Sequence, residues 1–205
     1  MDAYTLTIAA LTFVGSAIAQ KSTDASLEAA WERIAAGYRR WSGHDPTPAD
    51  VADRDKPLEP DLVREAEMIF GISAPLRRAR MVSQVLAGAK VLWIDDRPEN
   101  NAWERALLKA FQADVTTVES TRSALGMLRR ERFDVLLSDV AREGQSREGI
   151  RALPALRETA ENVPVVFYVG SVDRAAGTPA GAFGITNDPG ELLHLILDVL
   201  ERRRV

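Results

Sequence analysis

A chain of 205 residues is longer than a typical single domain, so we expect two small domains or one domain with a substantial extra segment. The chain has no cysteine, which excludes disulfides and thiolate metal sites, and its two histidines, His44 and His194, are too far apart in sequence to suggest a zinc site. A net charge of −4 gives no basis for general nucleic-acid binding, and no nucleic-acid partner is expected.

The opening segment is unusual because residues 4–19 carry no charge. It ends in a small-x-small pattern like that of a signal-peptidase site, but Asp2 stands where a secretory signal has positive charge. It is also shorter than the roughly 20 apolar residues that cross a bilayer. We predict a helix over residues 3–20 and leave three interpretations open: a helix buried in a bundle, a membrane-inserting or partner-binding helix, or a cleaved signal.

Apolar residues then recur at three- and four-residue spacing in three segments, which we predict as helices over residues 24–42, 60–70 and 75–87. Gly71 and Gly88 follow the last two as stop signals. The stretch 42–60 is rich in proline and aspartate, has no periodicity, and is predicted as a connection. Residues 1–88 are thus predicted to form an all-helical module.

From residue 89 the pattern changes to short apolar runs that alternate with helical periods, which is typical of a parallel sheet flanked by helices. Five strands are predicted, at residues 91–94, 115–118, 135–137, 165–169 and 182–185. Little room remains for a helix between Val169 and Ala182, where glycines and a proline interrupt the chain. Residues 89–205 are therefore predicted to fold as an α/β domain with a doubly wound five-stranded parallel sheet.

Three aspartates follow strands of this sheet: Asp95 and Asp96 come after the first strand, and Asp139 comes after the third. In a doubly wound sheet, ligands collect at the carboxyl ends of the strands. A paired acid after strand one and a single aspartate after strand three resembles the receiver domain of bacterial response regulators, and the resemblance covers roughly residues 90–205. It implies a flavodoxin-like fold and a signalling role in a two-component phosphorelay.

The resemblance also implies a magnesium site and a phosphoacceptor. Matched by position, Asp139 is the candidate acceptor, Asp95 and Asp96 are the metal-binding acids, and the carbonyl of Ala141 is a further ligand. Magnesium prefers such hard oxygen ligands. The alternative is that Asp95 and Asp96 only open the following helix beside Pro98, where the helix dipole favours acids.

Two positions depart from the receiver pattern. Receivers place a threonine or serine at the end of strand four, where this chain has Val169, and a lysine before the proline after strand five, where it has Asp188. A carboxylate there repels a phosphoaspartate. Nothing in the sequence aims Arg97 or Arg142 inward to supply the missing charge.

Other features have structural explanations. The four tryptophans (Trp31, Trp41, Trp93 and Trp103) fall on apolar stripes or a strand, which predicts core packing. Thr186 and Asn187 are predicted to cap the last helix. The sequence carries no P-loop, nucleophile elbow or zinc-binding helix motif, so no enzyme is expected.

These observations favour a cytoplasmic pseudo-receiver, meaning a receiver-like domain that contacts protein partners and does not depend on phosphorylation. One alternative is a genuine magnesium-dependent phosphoacceptor that uses Asp139. Another is a membrane-associated effector, attached through residues 4–19 and regulated by its receiver-like half.

Overall fold

The computed structural model describes residues 3–21, 24–52, 60–142, 144–160, 163–173 and 175–203. Five parallel strands form one sheet in the order β2-β1-β3-β4-β5. The strands are β1 (Lys90–Ile94), β2 (Asp114–Val118), β3 (Val135–Ser138), β4 (Val165–Tyr168) and β5 (Gly184–Thr186). This order is that of a flavodoxin-like doubly wound sheet, which confirms the predicted fold class.

Helices cover both faces of the sheet. Those that follow β1 are α7 (Ala102–Ala110), α8 (Thr121–Leu128), α9 (Glu148–Thr159) and α10 (Pro189–Arg203). Buried residues of α7 and α10 pack with Trp93 and Tyr168 on one face, whereas those of α8 and α9 pack with Leu92 and Phe167 on the other. The central strands β1, β3 and β4 read as nearly continuous apolar runs because both of their faces are covered.

The N-terminal part is helical, as predicted. Its helices are α1 (Ala3–Ala19), α2 (Ala25–Ser42), α3 (Pro48–Ala52), α4 (Pro60–Ile72), α5 (Ala74–Met81) and α6 (Ser83–Leu86). The carboxylate of Asp24 caps α2 by accepting hydrogen bonds from the N–H groups of Ser26 and Leu27, and Gly43 ends that helix with a φ of 83°.

Helix α1 lies inside the molecule, so the structure matches the first of its three interpretations. Val14 is fully buried, and Thr12 and Ser16 are buried with it. The hydroxyl of Thr12 donates to the carbonyl of Ile8 at 2.8 Å, which satisfies this polar group within the helix. None of the described helices combines the length and apolar composition needed to cross a membrane.

The helical module packs on the α7–α10 face, and its buried residues belong to the same apolar cluster as that face of the sheet. Gly15 of α1 allows close approach to α7, because a Cβ atom built there would lie 2.7 Å from the indole of Trp103. The rings of Trp31 and Trp103 meet edge to face at 5.7 Å. Core packing thus accounts for these tryptophans and for Trp93, which is 1% exposed, while the side chain of Trp41 lies outside the described residues.

Several predicted boundaries were wrong. The segment predicted as one helix over 75–87 forms two, because the backbone of Val82, a β-branched residue, leaves the helical region between them. Helix α4 continues through Gly71 and stops where Ser73 caps the next helix. Strand β5 begins two residues later than expected, at Gly184. The described residues between β4 and β5 contain no helix, in agreement with the prediction for that segment.

Candidate functional site

The three predicted aspartates meet at the carboxyl ends of two neighbouring strands. Ile94 and Ser138 are paired in register at the ends of β1 and β3, so Asp95 and Asp139, which follow them, lie side by side. One carboxylate oxygen from each of Asp95, Asp96 and Asp139 lies within 4.8 Å of the others. We call these three residues the acid triad.

Asp95 is held rigidly. It is 5% exposed, and its carboxylate accepts a hydrogen bond of 2.7 Å from the N–H of Arg97 and another from the side-chain amide of Asn101. The same bonds fix the turn between β1 and α7. The sequence analysis missed Asn101, whose position six residues after Asp95 gives no local signal.

Asp139 is half-buried, and its carboxylate accepts a 2.6 Å hydrogen bond from the N–H of Val140. Burial raises the pKa of the Asp139 carboxyl above its usual range, and the nearby charge of Asp95 raises it further. Backbone hydrogen bonds from Val140 and Ala141 and the charge of Arg142 act in the opposite direction, without reversing the shift. The net effect of burial and of the Asp95 charge is thus to disfavour the ionised form of Asp139.

The acid triad lines an open cleft with a volume of about 470 Å³. Ala141, whose carbonyl was predicted as a ligand, and Val169 also line this cleft. Gln20, which directly follows α1, reaches it from the N-terminal module. The sequence analysis did not anticipate this contribution, because nothing in the sequence shows which helix ends near the sheet.

The two departures from the receiver pattern have different surroundings. Val169 is 8% exposed and packs in the apolar cluster of the α8–α9 face. Asp188 caps α10: its carboxylate accepts a 2.7 Å hydrogen bond from the N–H of Glu191. The predicted cap at Thr186 and Asn187 was wrong. The hydroxyl of Thr186 accepts from the N–H of Asp188 at 2.9 Å and donates to the side chain of Glu191, and so supports the turn before the cap.

Arg142 points inward, which nothing in the sequence indicated, and is 1% exposed. Its guanidinium donates to the carbonyl of Ile94 at 3.3 Å, the hydroxyl of Ser138 at 2.6 Å and the hydroxyl of Thr121 at 3.1 Å. The side chain of Arg97 also lines the cleft, but this residue is exposed.

Helix α9 begins in close contact with the site. A Cβ atom built on Gly149 would lie 2.2 Å from the backbone carbonyl oxygen of Asp139, so only glycine fits there. The N–H of Gly149 donates to the carbonyl of Val140 at 2.9 Å. The position of the candidate phosphoacceptor therefore depends on the first turn of α9.

The donor set fits magnesium. Three carboxylates and a backbone carbonyl are hard oxygen ligands, and an open cleft leaves room for the water molecules that this ion retains.

Comparison with known proteins adds an independent line of evidence. A family model described as the response regulator receiver domain matches residues 91–193. An uncharacterized 14.6 kDa protein in the sodA1 3′ region of Leptolyngbya boryana is 32% identical over 117 residues, which are 55% of this chain and 88% of that protein.

Two solved structures are also similar. The chemotaxis response regulator CheY4 of Vibrio cholerae is 25% identical with a TM-score of 0.45, and the match covers 57% of this chain and 98% of that one. The anti-anti-sigma factor PhyR from Bartonella quintana is 17% identical with a TM-score of 0.51, over 98% of this chain and 93% of that one. At this identity the second match indicates a shared fold alone.

Proposed function

This chain belongs to the family of response regulator receiver domains, and we propose that it is an atypical receiver that binds a divalent cation and signals through protein contacts without depending on phosphorylation of Asp139. As a receiver it is a signalling module. The independence from phosphorylation, the cation and the roles of individual residues are the proposed parts.

One observation carries the proposal. At the two positions where the receiver pattern has a hydroxyl and a lysine, this chain has the apolar side chain of Val169 and the carboxylate of Asp188, which caps α10. A phosphoryl group on Asp139 would replace the single charge of that carboxylate with about two negative charges beside Asp95 and Asp96. Neither position offers a hydrogen-bond donor or a positive charge to receive it.

The proposed cation ligands are the carboxylates of Asp95, Asp96 and Asp139 and the carbonyl of Ala141. The proximity of the three carboxylates supports this assignment. When bound, magnesium would neutralise part of their charge. Asp95 would be the most rigid ligand, because it is held by the N–H of Arg97 and by Asn101.

Intact-mass spectrometry tests the phosphorylation part of the proposal. The full chain is incubated with magnesium and acetyl phosphate, and Asp139→Ala serves as the control. We expect no phosphoryl adduct on the wild-type chain. A magnesium-dependent adduct that is lost in Asp139→Ala would overturn the proposal.

A genuine phosphoacceptor is the second candidate function, and the acid triad itself favours it. Asp139 lies beside Asp95 and Asp96, and its carboxylate is oriented by the N–H of Val140. The same mass measurement separates the two candidates, because a phosphoacceptor forms the adduct that the atypical receiver does not.

Protein partners and a cytoplasmic location are further parts of the proposal. Receivers act by contacting other proteins. The described residues between β4 and β5 contain no helix, so the surface that this chain offers to a partner there differs from that of a receiver with a helix in this segment. Attachment to a membrane through α1 would require that helix to leave the apolar cluster in which Val14 is fully buried.

A further inference from the structure

The position of Arg142 is set by the loop that follows β3. The backbone groups of Arg142 and Gln145 exchange hydrogen bonds of 3.1 and 2.8 Å, so the chain turns back over the end of the sheet. The guanidinium is bonded to the carbonyl of Ile94 and to the hydroxyl of Ser138. These two residues immediately precede Asp95 and Asp139.

A guanidinium that is 1% exposed has lost its hydration, which is costly unless opposite charge lies nearby. The acid triad lies close on one side, because the guanidinium bonds to Ile94 and Ser138, the residues that directly precede Asp95 and Asp139. On the other side, Thr121 accepts from Arg142 and donates to the carboxylate of Glu148 at 3.0 Å.

We propose that the Arg142 guanidinium permanently offsets one of the three negative charges of the acid triad. The charge that remains matches that of a divalent cation. Three carboxylates and one guanidinium leave two negative charges, which a divalent cation neutralises. Phosphorylation of Asp139 would exchange its single negative charge for about two, so the site would carry a net charge of about minus one even with the cation bound. This inference rests on the proposed cation site.

The test is magnesium binding by isothermal titration calorimetry on the full chain. Arg142→Gln removes the charge and keeps a donor for Ser138, whereas Arg142→Lys keeps the charge. Because the guanidinium opposes the cation, Arg142→Gln should bind magnesium about fivefold more tightly or better. Arg142→Lys should bind like the wild type.

Arg97→Gln is the matched control, since it removes the same charge from an exposed residue that lines the cleft of the acid triad. Water and salt screen that charge, so its effect should be clearly smaller. Equal effects of the Arg97 and Arg142 variants, or unchanged or weaker magnesium binding in Arg142→Gln, would overturn the inference.

If Arg142→Gln does not fold in the absence of a divalent cation, circular dichroism with added magnesium gives the answer. A counter-charge role predicts that magnesium restores the fold, and failure of this rescue would overturn the inference. Magnesium binding by Arg142→Gln alone, and not by the wild type, would reject both the proposed cation site and the inference, because Arg142 would then exclude the cation. Absence of binding in both would reject both.

Discussion

The phenolic hydroxyl of Tyr168 donates a 2.7 Å hydrogen bond to the carboxylate of Glu104, which is 2% exposed. The hydroxyl of Ser16 donates to the same carboxylate oxygen, also at 2.7 Å. One buried oxygen therefore joins α1, α7 and β4. Burial and the adjacent carboxylate both raise the pKa of Tyr168, so it remains a protonated donor. Because Tyr168 also lines the cleft, this bond connects the N-terminal module with the candidate site.

A double-mutant cycle measures this connection. Tyr168→Phe and Ser16→Ala each leave the buried oxygen of Glu104 with one donor fewer, so each should lower the free energy of unfolding by about 1–3 kcal/mol. Because both donors share one acceptor, the loss of unfolding free energy in the double variant should differ from the sum of the losses in the two single variants. Urea denaturation provides the measurement, with Ser26→Ala, an exposed serine of α2, as the control. Strict additivity would show that the two hydrogen bonds do not act together.

Gly149 provides a test of how the first turn of α9 positions Asp139. The methyl group of Gly149→Ala would collide with the carbonyl oxygen of Asp139, so the helix or the aspartate must move. We expect a loss of about 1–3 kcal/mol in the free energy of unfolding, together with weaker magnesium binding. Gly126→Ala in α8 is the matched control, because its methyl group would meet no atom within 4 Å. That substitution should stabilise the chain by about 0.5–1 kcal/mol. If the two variants showed similar changes in stability, the steric clash between residue 149 and the carbonyl oxygen of Asp139 would be contradicted.

The sequence predicted the features of this fold that depend on local pattern. Apolar runs predicted the five strands, and the aspartates after β1 and β3 predicted the triad, because parallel strands bring their carboxyl ends to one edge. The sequence could not decide whether α1 is buried in the protein or inserted in a membrane, since an uncharged helix is compatible with both a protein core and a lipid bilayer. Arg142 and Asn101 were missed for a related reason. A polar side chain is buried only where distant groups satisfy it, and the carbonyl of Ile94 that receives Arg142 lies 48 residues away in sequence.

The pH dependence of stability follows from the raised pKa of Asp139. Below the ordinary pKa of an aspartate, both the folded and the unfolded chain hold the proton. As the pH rises, the unfolded chain releases it first, so the free energy of unfolding falls until the folded-state pKa is passed. Asp139→Asn cannot ionise and avoids this loss. In the absence of a divalent cation, the variant should be more stable than the wild type at neutral pH, with an advantage that shrinks as the pH is lowered towards about 4.

Urea midpoints across a pH series check this expectation, and Glu119→Gln, which removes an exposed carboxylate after β2, is the control. Asp139→Asn should also lose most of the stabilisation that magnesium gives the wild type, because a ligand charge is gone. A variant that is less stable than the wild type at neutral pH would mean that the hydrogen bonds of Asp139, and not its burial, dominate its energetics.

Restoring the receiver pattern should create phosphorylation that the wild-type chain lacks. Val169→Thr adds the hydroxyl at the end of β4, and Asp188→Lys replaces a negative charge with a positive one. Since Asp188 caps α10, Asp188→Lys should lower the free energy of unfolding by about 0.5–2 kcal/mol. Asp188→Asn should avoid this loss, because asparagine also caps helices. With magnesium and acetyl phosphate, we expect a phosphoryl adduct for Val169→Thr/Asp188→Lys by intact mass, less for Val169→Thr/Asp188→Asn, and none for either variant combined with Asp139→Ala. The restored chain can be judged only if it is folded and binds magnesium. If it then takes up no phosphoryl group, the departures at Val169 and Asp188 are not what prevents the reaction. Arg142, whose charge is buried, would be the next residue to substitute.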